Sequence, residues 1–200
     1  MDRVAALKTK EKGGYVYYPN EPSRVVFFLI AGRAKVGAYS KDGKEVIKTI
    51  VHPGEMFGEL GLVGEDIRKD FAIAMDDEVQ FCTLGVDEAI GMMRSNPDLG
   101  LKVSARIGER LIKLERRFES LVFKDARTRI VDFVRNMAEE RGVKYADEIQ
   151  LNHSLTHQDI ANLTATSRQT VTSILNELKE DEIIKFDRQT ILVHDIEKLI

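Results

Sequence analysis

Leu155-Thr-His-Gln-Asp-Ile-Ala-Asn-Leu-Thr-Ala-Thr-Ser-Arg-Gln-Thr-Val-Thr-Ser-Ile-Leu-Asn-Glu-Leu-Lys179 reads as two short helices joined by a tight turn. Thr156 followed by Asp159, and Thr166 followed by Gln169, both fit a capping box, in which side-chain oxygens accept from the free N–H groups of a helix start. Ile160 and Leu163 give the first helix an apolar stripe. Val171, Ile174, Leu175 and Leu178 give the second one, at helical spacing. The outward face of the second helix carries Ser167, Arg168, Gln169, Thr172 and Ser173. One arginine, one amide and several hydroxyls on a helix face suit the base edges and phosphates of a DNA major groove. A polar helix pair on a plain surface has the same local pattern, so the flanking chain has to decide.

Downstream, Ile183–Phe186 and Thr190–Val193 read as two strands around Asp187-Arg-Gln189, which makes a wing after the helix pair. Upstream, Ile149–Leu151 reads as a short strand, and Ile130, Val131, Phe133, Val134 and Met137 form an amphipathic helix ending before Gly142. Lys124–Arg129 is a charged break and a plausible hinge. Before it, one long helix runs from Leu99 to about Lys124. Ile107, Leu111, Leu114, Phe118 and Leu121 recur there at spacings of 4, 3, 4 and 3, a heptad seam suited to a partner helix. Val103 and Ile112 lie off the seam, where they could pack the helix on its own domain.

From Tyr15 to about Val86 the chain is strand-like, with a hairpin turn at Lys41-Asp-Gly-Lys44 and another turn at His52-Pro-Gly-Glu55. Short strands broken by Gly and Pro every ten or so residues suggest an antiparallel jelly roll. Phe57-Gly-Glu-Leu-Gly-Leu-Val-Gly64 lies between them, and its glycines would let backbone N–H groups approach a phosphate; a plain Gly-rich connection reads the same. A short helix, Val86–Met93, follows the strands.

The formal net charge is −3, and Lys124–Ile200 holds 11 Lys or Arg against 14 Asp or Glu. That is weak support for a phosphate backbone, but Asn162–Asn176 contains Arg168 and no acid, so its local field is positive. No apolar run is long enough for a bilayer and Met1–Gly13 has no signal-peptide pattern, so the expected compartment is the cytoplasm. The one cysteine, Cys82, excludes an intramolecular disulfide and a cysteine-ligated iron–sulfur cluster; its alternating apolar surroundings suggest a packed core thiol.

The order of parts, with Pro53-Gly-Glu-Met-Phe-Gly-Glu-Leu-Gly-Leu62 and Ser167-Arg-Gln-Thr-Val171 in it, resembles the bacterial Crp/Fnr transcription regulators over nearly the whole chain. The resemblance implies an α+β protein. Residues 1–96 would form a cyclic-nucleotide-binding-like antiparallel β jelly roll, 97–123 a dimerisation helix and 124–200 a winged helix-turn-helix domain. It implies a homodimer joined through Ile107, Leu111, Leu114, Phe118 and Leu121, bound to a palindromic operator in double-stranded DNA and contacting RNA polymerase. The DNA contacts would be Thr156, His157, Ser167, Arg168, Gln169, Thr170, Thr172 and Ser173. Arg168 matches the family arginine that reads guanine. Gln169 replaces a frequent glutamate, and Ser173 stands where many members have a second base-reading arginine. Ala165 occupies the turn position usually held by glycine.

In cyclic-AMP-binding members, residues matching Gly58, Glu59 and Leu60 contact the nucleotide. The family's phosphate-binding Arg-Ser pair falls on Lys69 and Asp70, or on Arg68 and Lys69 if the register slides by one. The adenine-side hydroxyls fall on Leu114 and Glu115. Asp70 would set an anion against the phosphate at roughly 1–4 kcal/mol. These departures argue against cyclic AMP and leave a different small-molecule effector, or none. Haem could find only His52 and Cys82 in the first domain, and His52 is expected to face solvent. A cupin-type metalloenzyme shares the jelly roll but needs several histidines, and only His52 precedes residue 153. A remaining rival is an effector-binding module that acts through a protein partner, its DNA binding weak or lost.

Overall fold

Alternating burial along short strands builds the first half of the chain. The computed structural model describes residues 7–146, 148–153, 155–187 and 190–199. Eight strands, β1 (Leu7–Lys10), β2 (Tyr15–Tyr17), β3 (Val25–Ala31), β4 (Ala34–Tyr39), β5 (Glu45–Val51), β6 (Met56–Phe57), β7 (Phe71–Ala74) and β8 (Val79–Gly85), form two antiparallel sheets. Their orders are β1-β8-β3-β6 and β2-β7-β4-β5. Phe27, Leu29, Phe57, Val79 and Phe81 from the first sheet meet Tyr17, Val36, Val51, Ala72 and Ala74 from the second in one core. The two-residue alternation that turns Val79 and Phe81 inward turns Cys82 the other way. Cys82 is accordingly half-buried beside the Phe28 carbonyl rather than a core thiol, which corrects the expectation. In the β4–β5 hairpin, Gly43 alone takes a left-handed φ of 80°, and the Ser40 hydroxyl accepts from the Lys44 amide.

Helices α1 (Val86–Ser95), α2 (Pro97–Phe123), α3 (Ala126–Arg141), α4 (His157–Thr164) and α5 (Arg168–Glu180) follow. Between and after them, β9 (Val143–Tyr145), β10 (Glu148–Asn152), β11 (Ile184–Phe186) and β12 (Thr190–Val193) form an antiparallel sheet of order β11-β12-β10-β9. The chain divides into two compact units, Met1–Ile112 and Lys113–Ile200. In the second, Ile130, Val131 and Val134 of α3 join Ile160 of α4 and Val171, Leu175 and Leu178 of α5 in the core, with Leu151, Ile184, Ile191 and Val193 from the sheet.

Three expectations change. The break between α2 and α3 is only Lys124 and Asp125, because the Asp125 carboxylate accepts from the Thr128 amide at 2.8 Å and starts α3 there. A six-residue hinge at Lys124–Arg129 is therefore replaced by a capped corner. Strand β9, all three residues exposed, adds an edge to the wing sheet. Helix α2 buries no residue along its length, so Ile112, half exposed, does not pack it down as expected. The wing turn falls partly on Arg188 and Gln189, which lie outside the described residues.

Candidate nucleic-acid interface and effector cradle

Helix α4 opens as its sequence requires. Thr156 accepts from the Asp159 amide and the Asp159 carboxylate accepts from the Thr156 amide, a complete capping box. It closes on Ala165 at φ 51°, ψ 49°, the left-handed conformation that costs an L-residue about 1–2 kcal/mol. Two arginines stabilise this closure. Arg117 donates to the carbonyls of Asn162 and Leu163, and Arg129 to those of Thr164 and Ala165. Cations on the last carbonyls satisfy acceptors that have no helical partner and oppose the negative end of the helix dipole. Burial lowers the Arg117 pKa. Neither arginine is apparent as a cap from sequence, since both come from other helices.

The second helix does not start at the expected box. Ser167, not Thr166, caps α5, accepting from the Thr170 amide at 3.0 Å. Thr166 instead pairs its hydroxyl with that of Thr164 at 2.9 Å, and Gln169 stays exposed. The left-handed Ala165 sets the chain path so that extended backbone arrives one residue later than local pattern indicated. Ser167 and Thr170 share a further hydroxyl contact at 2.8 Å.

The apolar stripe of α5 is buried, which leaves Arg168, Gln169, Thr172, Ser173 and Asn176 lining one shallow concavity of about 480 Å³. Arg168, Gln169, Ser173 and Asn176 are exposed, and Thr172 is half-buried. Arg168 carries the one full positive charge of this lining, placed where a guanidinium can reach two acceptors. Asn176 was not singled out from sequence, although it follows Thr172 by one helical turn on the same face. His157 and Thr156 flank this face from α4, His157 through a 2.8 Å contact of Nδ1 with the Thr172 hydroxyl.

In the first unit, the Gly-rich segment forms a 3-10 turn at Glu59–Val63, entered through Gly58 at φ 67°. A Cβ on Gly58 would stand 2.8 Å from an Arg68 nitrogen, so a larger residue there would have to displace that guanidinium. Arg68 is 2% exposed. It lies over the Tyr17 ring at 4.1 Å and the Phe27 ring at 5.2 Å, donating to the carbonyls of Val25 and Gly58. Asp70 is buried and ion-pairs with Lys48 at 3.0 Å. Burial raises the Tyr17 pKa, and the nearby Asp70 carboxylate raises it further. Glu59, 7% exposed, is met by Arg110 from α2, which also donates to the Met56 carbonyl at 2.8 Å. The structure thus gathers Gly58, Glu59, Arg68 and Asp70 around one charged cluster. Leu60 and Lys69 point to solvent. Leu114 and Glu115 stand exposed on α2, within the other compact unit. Sequence reasoning missed Arg110 and Lys48, which are 51 and 22 residues from their partners.

Residues 7–96 match the family model described as the cyclic nucleotide-binding domain, and residues 128–200 the Crp-like helix-turn-helix domain. Together these span most of the chain. It belongs to the Crp/Fnr family of transcription regulators. This Crp/Fnr chain is 26% identical to a global nitrogen regulator of Nostoc sp. over 189 residues, 94% of this chain and 85% of that one. It is equally 26% identical to a CRP-like cAMP-activated global transcriptional regulator of Mycobacterium tuberculosis, over 94% of this chain and 84% of the relative. Among solved structures, a mutant of CooA from Carboxydothermus hydrogenoformans superposes with a TM-score of 0.84 at 27% identity, covering 98% of this chain and 86% of that one. The Crp/Fnr family is one of transcription regulators and not of enzymes. The expected α+β architecture holds, and the α4–α5 pair is its DNA-binding motif. No helix among the described residues is long and apolar enough to cross a membrane.

Proposed function

We propose that this Crp/Fnr regulator works as a homodimer that binds a palindromic operator and answers to a small molecule other than cyclic AMP. One observation carries the dimer: Leu111, Leu114, Phe118 and Leu121 are 45–66% exposed on α2. Four large apolar side chains at heptad spacing are seldom left to water, and a second copy of the helix would cover them. Two copies of α5 would then enter successive major grooves about 34 Å apart, with Arg168 aimed at a guanine. RNA polymerase is the expected further partner once the dimer is seated.

The effector reading rests on the cradle. A cyclic phosphate needs a free cation and hydroxyl, but Arg68 is spent on the Val25 and Gly58 carbonyls between two rings. Lys69, the serine position once Arg68 takes the place of the arginine, is exposed and carries no hydroxyl, and the buried Asp70 follows it with a carboxylate. The residues present do not fit a cyclic phosphate.

Selection of bound duplexes from a random pool tests the first half of the reading, with sedimentation equilibrium alongside. Recovery of a two-fold symmetric sequence by a dimer supports it. A monomer that recovers no sequence, yet binds a protein partner, would instead favour the module that has lost DNA binding. Repeating the selection with cyclic AMP tests the second half; cyclic AMP should leave affinity unchanged.

A further inference from the structure

His157 sits at the first turn of α4 with its two ring nitrogens in different surroundings. Thr172 donates its hydroxyl proton to the Arg168 carbonyl at 2.9 Å, so the same oxygen can only accept from His157. His157 Nδ1 therefore carries the proton of the 2.8 Å contact, and Nε2 is the nitrogen left to titrate. The ring also rests against Phe186 of the wing strand at 5.8 Å, and Lys179 approaches that Phe186 ring from α5 at 5.7 Å. One side chain thus joins α4, the recognition helix and β11. On its own helix the nearest acid is Asp159, held in the capping box by Thr156. From α5 the charged group facing it is Arg168.

We propose that His157 is a positioning residue of the DNA interface with two separable tasks: Nδ1 anchors Thr172 and hence the start of α5, and Nε2 takes up a proton when DNA binds. The inference rests on the DNA-binding reading of α4–α5 and adds a proton to it. In the free chain, burial and then the Arg168 charge hold the His157 pKa below its ordinary value, so the ring gives up its proton more readily than a free imidazole. DNA brings phosphate charge to the face that Arg168 and His157 share, and that field favours the imidazolium. A pKa depressed in the free state and raised in the complex means that the complex holds more protons. Affinity must then rise as pH falls through the window between the two values, and be flat above it. Both protonation states keep Nδ1–H, so the anchor to Thr172 survives the titration.

The test is operator binding by fluorescence anisotropy from pH 5.5 to 8 at fixed ionic strength, with His157→Asn and His157→Ala. Asparagine places its amide nitrogen where Nδ1 stands but cannot titrate. Wild type should gain affinity toward low pH, by about tenfold for each unit of pKa rise on binding. His157→Asn should lose that pH-dependent gain, and His157→Ala should bind more weakly than His157→Asn at every pH. Imidazole nitrogen NMR on the wild-type protein, free and bound, reads the same proton without any variant. A pH slope that persists in His157→Asn overturns the proton uptake, and equal affinities of the two variants at pH 8 overturn the anchor. Failure of every protein to bind any duplex at any pH overturns the DNA-binding reading itself, and this inference with it.

Discussion

Arg129 on α3 donates to the carbonyl of Ala165, 3.2 Å away, at the one residue that turns α4 into α5 with a left-handed backbone. The same guanidinium reaches Thr164 at 2.9 Å and Lys124 at 2.7 Å, so a single side chain ties the helix-turn-helix corner to the α2–α3 corner. The geometry explains how alanine is tolerated where glycine would be unstrained: two charge-assisted hydrogen bonds from Arg129 hold the strained turn, and a third anchors the same guanidinium to the Lys124 carbonyl. Ala165→Gly should relieve about 1–2 kcal/mol of backbone strain and return about 0.5–1 kcal/mol in chain entropy. Arg129→Met should cost about 1–3 kcal/mol by stranding the carbonyls. Chemical denaturation checks both: a small rise in midpoint for the first and a clear fall for the second are expected. An Ala165→Gly protein less stable than wild type would show that the turn is not strained.

Glu59 and Arg110 form the second such tie, between the 3-10 turn and α2. Glu59 is nearly buried while the Arg110 side chain remains 37% exposed, so the pair is neither a surface pair nor a fully dry one. Removing Arg110 leaves a buried carboxylate with its desolvation unmet, and Arg110→Met should cost about 1–3 kcal/mol. Glu59→Gln in the same chain should recover part of that loss. A double-mutant cycle by thermal or urea unfolding reads the coupling, and strictly additive losses would show that the two residues do not stabilise one another.

Arg33 and Asp76 provide a pH-dependent contribution away from either site. The guanidinium donates to both carboxylate oxygens, at 3.0 and 2.6 Å, and these hydrogen bonds hold the Asp76 pKa below its ordinary value. With the folded pKa lower than the unfolded one, the pair's stabilisation is complete above the unfolded value near 3.8 and is lost as pH falls through the folded value. Asp76→Asn should therefore lower stability at pH 6 by roughly 0.2–1 kcal/mol, as expected for a partly exposed pair, and by less and less as the solution is acidified below the unfolded value. Unfolding midpoints of the two proteins should converge as the solution is acidified. A constant gap would assign the loss to packing instead of charge.

What the sequence revealed and what it hid follow from the range of the physics involved. Thr156–Asp159 and the stripe Val171–Leu178 were legible because caps and helical periodicity act within a turn or two. Thr166–Gln169 misled because two adjacent hydroxyl residues can each cap a helix, and the choice of Ser167 depends on the backbone of Ala165. Strand β9 carried no alternation, being exposed at Val143, Lys144 and Tyr145, so no burial signal was available. Arg68 looked like an ordinary charged loop residue; only the fold reveals Tyr17 and Phe27 on either side of it, with two carbonyls to satisfy it. The exposure of Arg168, Gln169 and Ser173 on one face of α5 was legible from helical spacing, whereas Asn176 was not singled out and the His157–Thr172 contact was hidden because it spans two helices.

Arg168 and Gln169 are exposed neighbours at the start of α5, and they allow base preference to be tested one residue at a time. The guanidinium can donate to guanine O6 and N7 together, which no other base offers in the major groove. Arg168→Ala should cost roughly 1–3 kcal/mol of operator affinity and relax preference at one base pair per half-site. Gln169, released from any capping role because Ser167 caps the helix, can present its amide to adenine, donating to N7 and accepting from N6. Gln169→Glu keeps the length and removes the donor, so the carboxylate should turn from adenine to the cytosine amino group at that position. Competition between operators differing at that base pair reads the switch. If Gln169→Glu lost affinity equally for all four base pairs, the side chain would be meeting the phosphate backbone and not a base.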